Sequence, residues 1–357
     1  MARLFGREWS KDELVRRAGR MSQLCGVRLG ELGDGTERGV RVADLWTGSG
    51  FAFTVVVDRG MDISAATWQG RSLCWHSSTG VVAPQFYEPE GLAWLRGFYG
   101  GLVVTCGLTY AGAPCEDEDE SLGLHGRFSN LPASHVAVEE GWQGEDYRVS
   151  VRGQVRETRV FGENICLTRT VSANLGENRF FLHDAVENEG FDPSEHMILY
   201  HINTGFPAVD DGAELVSPTL EATPRDAEAE KGKEGYAQFH TPTPGYAEKV
   251  YYHEMATDKA GQVWAAVVNR ELGFGAYVKY AKAQLPRFTE WKMLGEGTYV
   301  VGMEPANCQV EGRDKERERG GLQFLQPGER REYALEIGAL TSAEEIAELD
   351  AWVKRAK

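Results

Sequence analysis

Four short segments of the sequence combine groups able to move protons or bind oxygen with backbone signals for tight turns. His201 and Asn203 stand two apart in Tyr200-His201-Ile202-Asn203-Thr204-Gly205, at the end of an apolar β-forming run. The period of two along a strand puts both on one face, where polar side chains are costly unless they meet partners. Glu304 follows the run Tyr299-Val300-Val301 and precedes Pro305. The proline restricts Glu304 to extended geometry and so aims its carboxyl. His125 lies in Leu124-His125-Gly126-Arg127, where a glycine lets the backbone approach a ligand and Arg127 offers a planar fork of donors. Arg59 lies in Val57-Asp58-Arg59-Gly60-Met61-Asp62 after a strongly apolar run. That is a common place for binding groups on a rigid scaffold, although Arg59 and Asp62 could equally form a structural ion pair. Trp291-Lys292, just before the Glu304 run, offers a stacking surface and a cation.

These residue types suit acid–base work. A positioned imidazole or carboxyl each contributes roughly 10² to 10⁴-fold to a proton-transfer step. Both can be tuned towards neutral pH by burial and neighbours. No P-loop or GxGxxG fingerprint is present, and the cysteines show no zinc spacing, so no metal or nucleotide cofactor is expected.

The elements that must position these residues read as strands. β-forming runs cover 51–57, 147–155, 160–172, 179–188, 196–200, 262–269, 275–280, 298–302 and 331–337, separated by Gly, Asn and Pro turns. Many strands with almost no central helix predict an all-β sandwich or barrel. Two capping boxes mark flanking helices. Ser10-Lys11-Asp12-Glu13 predicts a helix to about Ala18 with Gly19 as its C-cap. Thr341-Ser342-Ala343-Glu344 predicts a second, with Ile346, Leu349 and Trp352 on one face. The charged stretches 115–121, 221–235 and 311–321 read as exposed loops. No linker separates two hydrophobic blocks, so 1–357 is expected to be a single domain, with 1–24 as an N-terminal helical extension and 341–357 as a C-terminal helix.

Bulk properties bound the function. The formal charge of -16 argues against nucleic acid and anionic membrane surfaces as partners. The six cysteines form no CxxC pair and fit reduced thiols of a cytoplasmic protein. The first ten residues carry no apolar leader segment, and no run of about 18 apolar residues exists.

Taken together, the order and spacing of the segments resemble the galactose mutarotase (aldose 1-epimerase) superfamily. Leu124-His125-Gly126 matches its Leu-His-Gly motif. His201-Ile202-Asn203-Thr204-Gly205-Phe206 matches loosely its second-histidine strand end, and Gly302-Met303-Glu304-Pro305 matches its Gly-x-Glu-Pro. The likeness is nearest to a divergent branch of aldose-1-epimerase-like bacterial proteins and spans roughly residues 25–340. It implies a large antiparallel β supersandwich with a ligand cleft on one sheet. It also implies roles: His201 as general acid, Glu304 as general base, His125 as the histidine near the ring oxygen, and Arg59 as an early substrate-binding arginine. His201 and Glu304 are then expected to face each other across a sugar-sized gap. The family's substrate-binding aspartate has no clear counterpart here, and Trp291 and Lys292 are candidates to serve instead.

The expected partner is a small carbohydrate, with oligomeric state open. The cations Arg59, Arg127 and Lys292 suggest an acidic or phosphorylated sugar. The expected activity is interconversion of anomers by ring opening. The alternatives are another sugar isomerase, epimerase or lyase on the same scaffold, or a non-catalytic carbohydrate-binding protein, because fold does not fix function.

Overall fold

Alternation of apolar and polar residues carries most of the chain into antiparallel strands. The strand Asp146–Thr158 alternates buried and accessible positions almost without a break, as a sheet with one solvated face requires. The computed structural model describes residues 1–357. Three sheets dominate it. An eight-stranded sheet runs in the order Ser134–Gln143, Asp146–Thr158, Asn164–Asn174, Arg179–Asn188, Arg330–Leu340, Phe274–Ala281, Gln262–Asn269 and Glu214–Val216. A seven-stranded sheet runs Thr219–Pro224, Lys249–Met255, Arg287–Leu294, Tyr299–Ala306, Ser194–Gly205 and Gln323–Leu325, with Val104–Leu108 also paired to Ser194–Gly205. A five-stranded sheet occupies Gly26–Ser72.

All three sheets bury one face in a common core of 59 residues, which includes Phe53, Val151, Leu182, Tyr200, Ile202, Phe288 and Met303. The opposite face of the seven-stranded sheet packs a second cluster, in which Val104, Leu199 and Ala306 meet Trp94 and Phe98 of the segment 93–98. A buried polar network ties the sheets together. Arg169 bonds Asp184 at 2.6 and 2.8 Å, Asp62 at 2.7 Å and Thr105 at 2.9 Å, and Tyr200 donates to Asp184 at 2.7 Å. Asp62 thus pairs with Arg169 and Thr105, not with Arg59.

The predicted strands appear, five of the nine longer than the sequence runs, but the run 160–172 becomes a strand only from Asn164, because 160–163 form a largely exposed turn. The flanking segments differ from expectation. The N-terminal extension opens with a hairpin, Ala2–Leu4 against Arg7–Trp9, and its helix stops at Val15 although the Ser10–Glu13 capping box forms. The C-terminal helix spans Ala343–Ala356 with Ser342, not Thr341, as N-cap. The three charged stretches are structured. Asp117 sits in a small hairpin and binds Arg313 and Arg317, and the run Arg313–Glu318 is helical. Ion pairs hold parts of these segments, while most of their residues stay exposed or half-buried, as expected. All six cysteines are free.

Candidate active site

The site lies on the outer face of the seven-stranded sheet. Two adjacent rungs of the ladder build it. The antiparallel register Leu199↔Ala306 and Ile202↔Met303 sets His201 opposite Glu304. Glu304 in turn pairs with Thr289, and Thr289 with Tyr252. On the next rung Asn203 pairs with Gly302, and Gly302 with Trp291. Side chains on one rung, and on alternate residues of a strand, share a face. His201, Glu304, Asn203 and Trp291, read from three separate stretches of sequence, therefore come together.

His201 Nε2 lies 3.1 Å from Glu304 Oε1. The two residues are 5% and 2% exposed. They touch directly, so the expected sugar-sized gap between them is absent. Gly302 makes this contact possible. A Cβ there would lie 2.7 Å from Glu304 Oε1 and 3.1 Å from His201 Cε1. The glycine of Gly-x-Glu-Pro is thus a space requirement of the pair.

Polar capacity in the site is left open. His201 Nδ1, Glu304 Oε1, Asn203 Oδ1, Thr289 Oγ1 and Tyr252 Oη are buried without a hydrogen-bond partner. Each such group costs about 1–3 kcal/mol, and these gather on one face of the sheet with their hydrogen-bonding capacity unused. Asn203 Nδ2 is engaged by the carbonyls of His201 at 3.1 Å and Gly100 at 3.4 Å, which turns its oxygen outward from those bonds.

Burial sets the proton states. It pushes the Glu304 carboxyl well up from the ordinary carboxylate range, and the nearby Glu248 adds to the rise. Burial, and then His125, bring the His201 ring down to about 3, against a smaller opposing effect of Asn203. Burial thus favours the uncharged form of both groups, a protonated carboxyl and a neutral imidazole.

His125 reaches the same place from a turn. Its ring centre is 5.9 Å from that of His201 and 4.9 Å from Trp94. The residue holds φ +57, and Gly126 follows at φ +79, where a Cβ would strike the Gly107 and Tyr110 carbonyls at 2.5 Å. His125 Nδ1 accepts the Gly112 N–H at 3.3 Å, so the neutral ring carries its proton on Nε2 and presents a donor there. Burial brings its pKa down to about 4. Phe98 and Trp291 complete an aromatic surround, with ring centres 5.5 and 5.3 Å from His201, and Trp75 stands 6.4 Å from Trp291.

Three expected contributors do not join the pair. Arg59 is 1% exposed, and its guanidinium donates to the carbonyls of Ser129, Val82 and Gly97. It staples the segment bearing Trp94 and Phe98 to the turn after His125 and offers nothing to a substrate directly. Lys292 falls one residue past Trp291 and so on the opposite face. Its ammonium donates to the carbonyls of Gly235, Tyr236 and Gln238 at 2.7, 3.1 and 2.6 Å. Arg127 is exposed and bonds neither His201 nor Glu304. Gly302, Thr289, Tyr252, Trp75, Phe98 and Glu248 went unnoticed as site residues in the sequence; only Gly302, within its motif, carried a local signal. No group of three or more His, Cys, Asp or Glu side chains is placed to hold a metal ion.

Known structures share this architecture. A Klebsiella pneumoniae protein described as a candidate aldose 1-epimerase superposes with a TM-score of 0.89 at 28% identity, over 92% of this chain and 87% of that one. A galactose mutarotase-like protein of Clostridium acetobutylicum gives 0.58 at 11% identity, over 89% and 99%. Galactose 1-epimerase of Lactobacillus acidophilus gives 0.56 at 13% identity, over 88% and 99%. The fold is that of the galactose mutarotase-like proteins. No curated protein matches the chain. The model of the family described as a domain of unknown function, DUF4432, matches residues 37–339, and the chain belongs to that family.

Proposed function

We propose that this protein interconverts the anomers of a free sugar, with His201 and Glu304 exchanging protons at the hemiacetal. The observation that carries the reading is the buried His201–Glu304 contact with unfilled polar capacity, set among aromatic rings. The C1 hydroxyl and the ring oxygen are bonded to one carbon. Two touching side chains can therefore address both, one oxygen each.

Ring opening needs a base on the C1 hydroxyl and an acid on the ring oxygen; Glu304 as carboxylate and His201 as imidazolium supply them. Ring closure of the open aldehyde needs the reverse, a protonated carboxyl and a neutral imidazole. The resting state favoured by burial is this second arrangement. The two states hold the same number of protons; opening carries the pair from the first to the second and closure carries it back, so a full cycle needs no proton from solvent. His125 Nε2–H is placed to donate to a sugar oxygen, and the aromatic rings suit the apolar C–H face of a pyranose. An uncharged sugar fits better than a uronate or sugar phosphate. Arg59 and Lys292 are engaged by carbonyls, and the charged groups acting on the Glu304 carboxyl are Glu248 and Arg225, which bond each other.

The test is α/β exchange, followed by NMR or polarimetry across a panel of aldoses, uronates and sugar phosphates. Acceleration for neutral aldoses that disappears in His201→Ala and Glu304→Ala is expected. Full activity in both variants overturns the assignment. Deuterium entering a carbon-bound position would point instead to a non-anomeric epimerase.

A further inference from the structure

Trp291 stands beside the catalytic pair with little on its own sheet to hold it. Its partner on one side is Gly302, which has no side chain, and on the other Val250. An indole with a glycine neighbour is free to swing about χ1 and χ2 unless something fixes its far end. Its half-buried ring nonetheless lies 5.3 Å from His201 at 75°, with Phe98 at 6.3 Å and Trp75 at 6.4 Å.

What fixes it is at the rim. Trp291 Nε1 donates to Glu248 Oε2 at 2.9 Å. The other oxygen, Oε1, accepts from Arg225 Nη2 at 3.0 Å. Arg225 is itself anchored: its backbone N–H donates to Val250 O at 2.9 Å and its Nε to Asp226 at 3.0 Å. Glu248 immediately precedes the strand Lys249–Met255, and Arg225 immediately follows Thr219–Pro224. The chain Arg225–Glu248–Trp291 therefore runs from the sheet edge to the indole beside His201. An exposed ion pair contributes little to stability, so its worth lies in the direction it imposes on the indole.

We propose that Glu248, oriented by Arg225, is a positioning residue that latches the Trp291 indole into a fixed platform for the apolar face of the sugar bound over His201 and Glu304. This rests on the proposed anomeric exchange. A latched platform lowers the ordering cost of binding, whereas a free indole must be immobilised by each substrate, so the latch acts on KM more than on kcat.

The test has two parts. In ¹⁵N-labelled protein the Trp291 indole N–H cross-peak is identified as the one missing from Trp291→Phe. In Glu248→Ala that peak is expected to move upfield and to exchange faster with solvent, because its carboxylate acceptor is gone. An unmoved peak overturns the latch whatever the activity. In kinetics with the best neutral aldose, Glu248→Ala is expected to raise KM about tenfold, equivalent to about 1.4 kcal/mol, with a smaller change in kcat. The double variant Glu248→Ala/Trp291→Phe should bind no worse than Trp291→Phe alone, since both remove one bond. Additive losses, or a KM within twofold of wild type in Glu248→Ala, overturn the proposal. A peak that moves in Glu248→Ala, together with a wild-type protein that accelerates no aldose, supports the latch and overturns the anomeric reading, so the two failures are distinct.

Discussion

The seven-stranded sheet carries two buried histidine–glutamate contacts, one on each face. On the outer face His201 Nε2 is 3.1 Å from Glu304; on the inner face His253 Nε2 is 3.3 Å from Glu290. Glu290 lies one strand over from Glu304, paired with Met303. By distance and burial alone they are near twins. Their surroundings separate them. His253 has its other nitrogen bonded to Thr219 Oγ1 at 2.8 Å and is wedged between Phe288 and Tyr236 on the side of the main core. His201 has its other nitrogen unpartnered, a glycine beneath it and half-buried rings around it. A buried imidazole–carboxyl pair is therefore not a site by itself. Unfilled bonding does not separate them, since both Glu290 oxygens also lack a hydrogen-bond partner; the outer face, the glycine that makes room for the pair and the half-buried rings beside it do.

The sharpest way to break this comparison is to cut each pair in turn. His201→Ala or Glu304→Ala should lower the anomeric exchange rate by roughly 10² to 10⁴-fold, while Glu290→Gln should leave kcat within about threefold once the protein is folded. Equal losses from both, in NMR exchange measurements, would erase the distinction. Next in size is Gly302→Ala. The added methyl must displace Glu304 Oε1 from 2.7 Å, and such a misplacement should lower kcat/KM by about 10 to 100-fold with the circular dichroism spectrum retained. A near-normal rate would show that the pair does not need its contact.

Stability should order the pairs the other way. His253→Ala removes a ring bonded to Thr219, packed between Phe288 and Tyr236 and 3.3 Å from the buried Glu290, and should cost about 3 kcal/mol in urea unfolding. His201→Ala should cost clearly less, because its Nδ1 bonds nothing and its neighbours Trp291 and His125 are only half-buried. The smallest effect is on pH. Folding raises the Glu304 pKa above its ordinary 4.5, so the folded state binds more protons than the unfolded one above that pH. Wild-type stability then falls as pH rises from 4.5 through the folded value. Glu304→Gln removes this term. It should be more stable than wild type at about pH 8, with an advantage that shrinks on acidification; a difference flat in pH would count against a raised Glu304.

Much of the fold was legible beforehand. Periodicity alone marks strands such as Arg179–Asn188 and Gln262–Asn269, whose observed bounds equal the predicted ones. The strands Lys249–Met255 and Arg287–Leu294 were missed because His253, Glu290 and Lys292 interrupt the apolar pattern. Those polar residues are tolerated only because tertiary partners meet them. The same strands hold Tyr252 and Thr289, which went unread with them, whereas Trp291 was singled out only as an aromatic ring beside the Glu304 run. Lys292 and Arg59 were misjudged for one reason: a sequence shows a cation but not the carbonyls that surround it.

The sequence by itself determined the all-β pattern, the likeness of the Leu-His-Gly and Gly-x-Glu-Pro segments to a sugar epimerase family, and the candidacy of His125, His201 and Glu304. Only the tertiary structure decided that His201 and Glu304 touch, which of two such pairs lies on the outer face of the sheet, and which cations are already engaged. Side-chain period and local turn chemistry are properties of neighbours in the chain. Register between distant strands, and the water each group loses on burial, are properties of the assembled sheet.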